Sequence, residues 1–133
     1  MPLLGLVALG GAAGCLVRYL IDLVTNWDVL AAPTFPWPTL VINVTGCLLI
    51  GVAGVVIGGR RRELQWRALI VTGFLGGYTT FSALALESVA LLDRGLPWLA
   101  LSYLASTVIF GALAVSLGVR LAGRFLTPHG STK

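Results

Sequence analysis

Two apolar stretches of the sequence carry polar residues of the kind that contact ions. In WPTLVINVTGCLLIG, the amide of Asn43 lies inside a hydrophobic run, and in GFLGGYTTFSALALE, a block of small and hydroxyl residues surrounds Phe81. An amide side chain offers two N–H donors and an acceptor oxygen. Asn43 is therefore expected either to hydrogen-bond a neighbouring helix or to donate to an anion.

The GGYTTFS block, which begins at Gly76, predicts a break in a helix. Adjacent glycines followed by two β-branched hydroxyl residues disfavour regular helical structure. At membrane depth, irregular backbone is tolerated only where protein or water covers it. Carbonyl groups freed by such a break are suited to holding a cation, as in the discontinuous helices of transporters.

The composition indicates that these stretches lie in a membrane. The 133-residue chain is 57% hydrophobic and 11% charged, with a mean hydropathy of +0.95, whereas a soluble domain is about 45–50% apolar and about 25% charged. Four apolar stretches approach or exceed the roughly 20 residues that cross a bilayer. Because backbone in lipid must bond to itself, they are predicted to be helices.

The predicted architecture is an all-α membrane protein with four transmembrane helices, the third broken near mid-membrane. The membrane domain covers residues 1–126, with spans at about 3–23, 39–58, 67–92 and 96–121, and a polar tail follows over 127–133. The glycine pairs 10/14, 54/58 and 73/77 have the GxxxG spacing of closely packed helices. They are expected to pack within one subunit, between subunits, or both.

Basic residues are unevenly distributed between the two predicted sides of the membrane. Arg94 lies on one side, with Arg18 near a span end, and the other side holds Arg60, Arg61, Arg62, Arg67, Arg120, Arg124 and Lys133. Because excess lysine and arginine face the cytoplasm, we expect a multi-pass cell-membrane protein with both termini inside. A short basic cluster between apolar runs is more typical of a membrane flank than of a nucleic-acid site.

Few other residues suggest chemistry. Arg18 and Glu87 lie near span ends, where snorkelling or a mutual ion pair is expected, and Arg18 could alternatively attract anions into a vestibule. Cys15 and Cys47 have the pattern of small buried hydrophobes, with no disulfide inferred. His129 is the one histidine, and no catalytic triad or carboxylate pair can be drawn, so an enzyme is not expected.

Three motifs, in order, resemble the Fluc/CrcB family of fluoride channels. GGAAGCLVRY around Arg18 is similar to the family's opening motif, PWPTLVINVTGCLLIG to its second-span motif, and GFLGGYTTFSALALE to its third-span signature. Tyr103 and Thr107 resemble the polar track on the last span. Together with the span count, the resemblance covers nearly the whole chain.

The resemblance implies a fluoride-selective channel that lowers cytoplasmic fluoride by passive efflux. In that family two subunits pack antiparallel around two narrow pores, and a structural sodium ion is held centrally by backbone carbonyls. By motif position those carbonyls belong to Gly76 and Thr79. The fluoride path would be lined by Asn43, Phe81, Tyr103 and Thr107.

The free-energy cost of dehydrating an ion leads us to include Ser82 in the predicted pore. Dehydrating a small ion in a low-dielectric medium costs of order 20 kcal/mol in the idealised limit, whereas an aromatic ring contact contributes about 1 kcal/mol. Hydrogen-bond donors must therefore provide most of the compensation together with the fixed cation. The candidate donors are the Asn43 amide and the hydroxyls of Ser82 and Thr107.

Two positions depart from the family pattern. Leu84 stands at the second phenylalanine position, and Pro38 replaces a glycine near a span end, where proline is tolerated. The first departure, with the charge asymmetry, favours an antiparallel dimer with a different, oppositely oriented homologous subunit over a homodimer. The alternative function is a small multidrug-type four-span exporter, but the carboxylate which that class needs in its first span is absent from residues 3–21.

Overall fold

The protein folds as a bundle of apolar helices. The computed structural model describes residues 2–25 and 34–126, so the predicted polar tail over 127–133, including His129, lies outside the described residues. The helical segments, in chain order, are α1 (Leu3–Thr25), α2 (Trp37–Ile57), α3 (Glu63–Trp66), a π-helical segment (Arg67–Leu75), α4 (Gly76–Tyr78), α5 (Phe81–Asp93) and α6 (Pro97–Leu126).

Four helical units are long and apolar enough to cross a membrane. They are α1, α2, the interrupted helix over Glu63–Asp93, and Pro97–Phe125 of α6. No strand occurs within residues 2–25 and 34–126. The predicted all-α architecture with four transmembrane helices is confirmed.

The predicted break in the third span is also confirmed, and it lies at the two threonines. Thr79 (φ −73°, ψ 155°) and Thr80 (φ −144°, ψ 122°) are extended, whereas Gly76 (φ −67°, ψ −31°) remains helical. The β-branched side chains of threonine suit extended backbone. Gly77 has a different purpose, because a Cβ there would collide with the backbone of Gly11.

Glycines bring α1 against the first half of the third span. An added Cβ on Gly10 would overlap the backbone at Leu69, and one on Gly14 would overlap the backbone at Phe74. Gly73 in turn faces the backbone of α1. The 10/14 and 73/77 pairs therefore pack within one chain, while an added Cβ on Gly54 would meet nothing within 4 Å.

The segment that receives α1 is π-helical over nine residues, which the sequence analysis did not predict. Such i→i+5 turns are rare and concentrate at functional sites. Here the segment ends four residues before Thr79, so two departures from α-helical geometry follow one another along the third span. The wide turn and the break together determine which side chains the centre of this span presents.

The other half of the protein packs α2 and α5 against α6. Gly118 of α6 lies against Gly51 of α2, where side chains at either position would overlap the opposite backbone. Leu40, Leu84 and Tyr103 form a buried cluster between these helices. Both cysteines are free, but Cys15 is exposed, so the expectation that it is buried is wrong.

Candidate functional site

The side chain of Asn43 joins α2 to the break in the third span. Its Oδ1 accepts a hydrogen bond of 2.9 Å from the Thr80 N–H, and its Nδ2 donates one of 3.1 Å to the Thr80 carbonyl. Asn43 and Thr80 are both buried. The amide thus satisfies both backbone groups of the residue that leaves the helix, a requirement of buried backbone. One N–H of Nδ2 makes no hydrogen bond among the described residues.

At the break, two backbone N–H groups donate to side chains instead of to the carbonyls that they would meet in an unbroken helix. The partner of the Gly76 carbonyl would be the Thr80 N–H, which is bonded to Asn43 instead. The partner of the Thr79 carbonyl would be the Ala83 N–H, which donates over 3.1 Å to the Thr80 hydroxyl at the start of α5. The break therefore turns two backbone oxygens away from their usual helical partners.

An open groove runs along this face of the protein. It has a volume of about 360 Å³, and its lining includes Asn43, Thr79, Phe81, Leu84 and Thr107. Phe81 is 81% exposed and lies near the centre of the third span. The groove therefore brings an amide, an extended backbone and an unpacked phenyl ring to one surface.

The hydroxyl groups of the predicted pore face different partners. The Thr107 hydroxyl donates to the Tyr103 carbonyl one turn earlier, at 2.9 Å. Ser82 is exposed, and its Oγ lies 3.2 Å from the Thr80 hydroxyl. Thr107 lines the groove, and Ser82 lies at the start of α5 beside it.

Tyr103 and Glu87 belong to a second, buried polar cluster. The hydroxyls of Thr39 and Tyr103 donate to the two carboxylate oxygens of Glu87 at 2.8 Å and 2.5 Å. All three residues are less than 10% exposed. The sequence analysis did not assign Thr39 to a site, although its place four residues before Asn43 puts both on one face of α2.

Arg18 lies apart from both groups. It is half-buried, and its Nε donates to the carbonyl of Gly77 over 3.4 Å. Within residues 2–25 and 34–126 no ion pair joins Arg18 to Glu87. Arg18 thus contacts the backbone of α4 immediately before the break, while Glu87 faces the core on the other side of it.

Two further residues hold the break in place and were missed by the sequence analysis. The hydroxyl of Thr45 lies 2.9 Å from that of Tyr78, the residue before the extended segment. Gly46 faces Thr79, whose side-chain methyl would collide with an added Cβ. The glycine at this position therefore leaves room for the Thr79 side chain against α2.

Comparison with known proteins identifies the family of this arrangement. The family model described as "CrcB-like protein, Camphor Resistance (CrcB)" matches residues 5–119, which contain the whole groove and the break. The chain belongs to the CrcB family. Four spans and this membership make it a multi-pass membrane protein.

Curated CrcB relatives match across most of their length. A protein of Rhizobium etli (strain CIAT 652) named "Fluoride-specific ion channel FluC" is 43% identical over 116 residues, covering 86% of this chain and 90% of the relative. A protein of the same name from Erythrobacter litoralis is 45% identical over 125 residues, covering 90% of each. "Fluoride-specific ion channel FluC 1" of Bradyrhizobium diazoefficiens is 41% identical, covering 90% of this chain and 83% of the relative.

The paired hydrogen bonds of Asn43 predict a measurable loss of stability. Asn43→Ala leaves the buried N–H and carbonyl of Thr80 without this side chain, and an unsatisfied buried polar group costs about 1–3 kcal/mol. The thermal unfolding midpoint of the variant in detergent should fall clearly below that of the wild type. Ser116→Ala is the control, since that exposed hydroxyl bonds only its own helix. Equal midpoints for all three proteins would contradict the assignment.

Proposed function

We propose that this protein is a fluoride-selective channel that lowers cytoplasmic fluoride by passive efflux of the anion. The observation that carries the proposal is the groove, which joins the Asn43 amide, Phe81 and the broken third span on one open face. The names of the CrcB relatives support fluoride as the ion. Such a channel needs no catalytic step, because hydrogen fluoride enters as a neutral acid, dissociates inside and leaves as the anion.

The chemistry of the groove suits a small, strongly hydrated anion. Asn43 has one amide N–H left after binding Thr80, and the edge of the Phe81 ring carries positive partial charge. A ring contact contributes only about 1 kcal/mol, so the phenyl ring shapes the path and the polar donors offset most of the dehydration. A Thr107 hydroxyl that donates within its helix still accepts, and it must rotate to serve as a donor.

The open groove supports pairing with a second subunit. Lipid suits the exposed ring of Phe81, but it cannot satisfy the remaining amide N–H of Asn43 or the backbone carbonyls at the break. An antiparallel partner covering this face would convert two half-open grooves into two enclosed pores. Phe81, Asn43 and Thr107 of one chain would then face the partner's third span.

The carbonyl groups at the break fit a structural sodium ion between such subunits. Gly76 and Thr79 each present a backbone oxygen whose helical donor is bonded elsewhere. Unwound carbonyls of this kind coordinate sodium in membrane proteins. When bound, the ion would supply a fixed positive charge beside the anion path. Asn43 contributes to this site indirectly, because its Oδ1 holds the N–H that would otherwise bond Gly76.

Flux measurements on reconstituted protein test the channel proposal. Vesicles containing the protein with its partner should release fluoride and retain chloride, as followed by ion-selective electrodes. Phe81→Ala should slow fluoride efflux about fivefold, the rate equivalent of a ring contact near 1 kcal/mol. Phe110→Ala is a matched control, since that ring is 50% exposed on a different groove beside Leu113. Equal flux of both halides would sink the proposal, and unchanged efflux in Phe81→Ala would make its ring a packing residue.

Sodium dependence separates the cation site from the anion path. Protein purified throughout in N-methylglucamine salts should unfold at a lower temperature than protein purified in sodium salts, because the carbonyls no longer coordinate a sodium ion. Thr79→Ser keeps the carbonyl and should retain the sodium effect, whereas Asn43→Ala removes the side chain that fixes the Thr80 backbone between the two carbonyls and should reduce it. A wild-type midpoint independent of sodium would contradict the site.

Charge asymmetry and Leu84 support a specific orientation and partner. Arginines cluster in the turn after α2 and near the end of α6, which predicts cytoplasmic termini. An antiparallel partner must then insert the opposite way, so we propose a different homologous subunit that also supplies the phenylalanine absent at Leu84. Leu84 itself is 7% exposed and packs with Leu40 and Tyr103.

Labelling and flux together test this arrangement. A cysteine placed in the tail over 127–133, in a chain whose Cys15 and Cys47 are replaced by serine, should react with an impermeant maleimide only after the cells are opened. The purified chain alone should conduct fluoride poorly and gain flux when the second subunit is added. Labelling from both sides, or full conduction by the chain alone, would favour a homodimer.

A further inference from the structure

The turn between α2 and the third span is held by a carboxylate. Glu63 accepts a hydrogen bond of 2.9 Å from the Gly59 N–H and pairs with Arg67 at 2.8 Å. Arg62 adopts a left-handed conformation (φ 72°, ψ 30°), and its carbonyl accepts from the N–H groups of Gln65 and Trp66. The backbone around Arg60, Arg61 and Arg62 is therefore ordered by several internal hydrogen bonds.

Three arginines of this turn have no acidic partner in the described part of the chain. Glu63 neutralises Arg67, whereas Arg60, Arg61 and Arg62 are exposed and form no side-chain hydrogen bond or ion pair with residues 2–25 or 34–126. Adjacent like charges repel one another, so an anion bound near these three arginines would stabilise the turn.

A cavity of about 270 Å³ lies beside one of these arginines. Its lining combines apolar side chains, Leu6 of α1 and Leu69 of the third span, with Arg62, Gln65 and Trp66. Both spans begin here, since α1 starts at Leu3 and the third span at Glu63. The cavity therefore opens where one membrane surface is expected, and tryptophan is typical of that level.

We propose that this cavity binds an anionic phospholipid, with its phosphate at Arg62 and Gln65 and its upper acyl chain against Leu6 and Leu69. Guanidinium and amide groups donate hydrogen bonds to phosphate oxygens. The apolar lining is suited to the acyl chain of a lipid, and a free phosphate ion has no such chain. Basic pockets between transmembrane helices on the cytoplasmic side recognise anionic headgroups in the same way.

The chemistry of a headgroup phosphate is shared by soluble phosphate esters, but the cavity favours the lipid. Two of its five lining residues are leucines and a third is tryptophan, so a ligand without acyl chains would leave this surface wet. Arg61 lies one residue away and does not line the cavity. A substitution of Arg61 therefore serves as a control, which distinguishes a specific site in the cavity from general attraction by neighbouring positive charges.

Lipid retention by the full-length protein in a neutral detergent tests the proposal. Native mass spectrometry should show phosphatidylglycerol bound in preference to phosphatidylcholine, and the thermal midpoint should rise with the former only. Arg62→Gln should weaken phosphatidylglycerol binding roughly tenfold, the equivalent of one hydrogen bond to a charged group. Arg62→Gly removes the same charge while suiting the left-handed backbone, so it guards against misfolding. Arg61→Gln should change retention little, because a neutral micelle provides no charged surface.

Several outcomes would overturn the site. Equal retention of the two lipids by the wild type, or unchanged retention in both Arg62 variants, would remove it. An Arg61→Gln effect as large as that of Arg62→Gln would replace it with diffuse electrostatic attraction. Displacement of the lipid by millimolar glycerol phosphate would identify a soluble phosphate ester as the ligand. None of these readouts depends on fluoride transport, so the test is independent of the channel proposal.

Discussion

Two hydrogen bonds between the Asn43 side chain and the backbone of Thr80 hold the third span open at its centre. Without them, a buried N–H and carbonyl would stand unpaired in an apolar bundle, where each unsatisfied group costs about 1–3 kcal/mol. The Thr80 hydroxyl then caps α5 through Ala83, so the helix restarts one residue later. The groove and the free carbonyls both follow from this exchange of partners.

The surrounding helices stabilise the break by fixing the backbone on both sides of it. Before the break, Gly10 and Gly14 allow α1 to lie directly on the third span, and Gly46 leaves space for Thr79. After it, α5 is held against α6 by the buried contacts around Leu84 and Tyr103. A broken helix that was free on either side would reform its hydrogen bonds, since lipid offers no alternative partner.

Charged groups are distributed according to what can solvate them. Glu87 lies in the core, where hydroxyls of two helices donate to its carboxylate, and Arg18 reaches a backbone carbonyl next to the break. The turn arginines lie outside the spans, where water and lipid phosphates are available. Each arrangement meets the high cost of an unpaired charge near hydrocarbon. The proposed ion path thus lies near the middle of the spans, whereas the proposed lipid site lies where the first and third spans begin.

The sequence alone determined the membrane class, the four helices and the break, because hydropathy and helix propensity are properties of neighbouring residues. It also identified Asn43 as a polar residue inside an apolar run, and Phe81 through the resemblance of its motif to the family signature. Only the tertiary structure decided that the threonines break the helix, that Asn43 bonds the Thr80 backbone, and that Thr39 meets Glu87. These contacts join residues 37 and 48 positions apart, and such pairings depend on how helices pack. The glycine pairs show the same limit, since 10/14 and 54/58 have identical spacing and only the first has a helix against it.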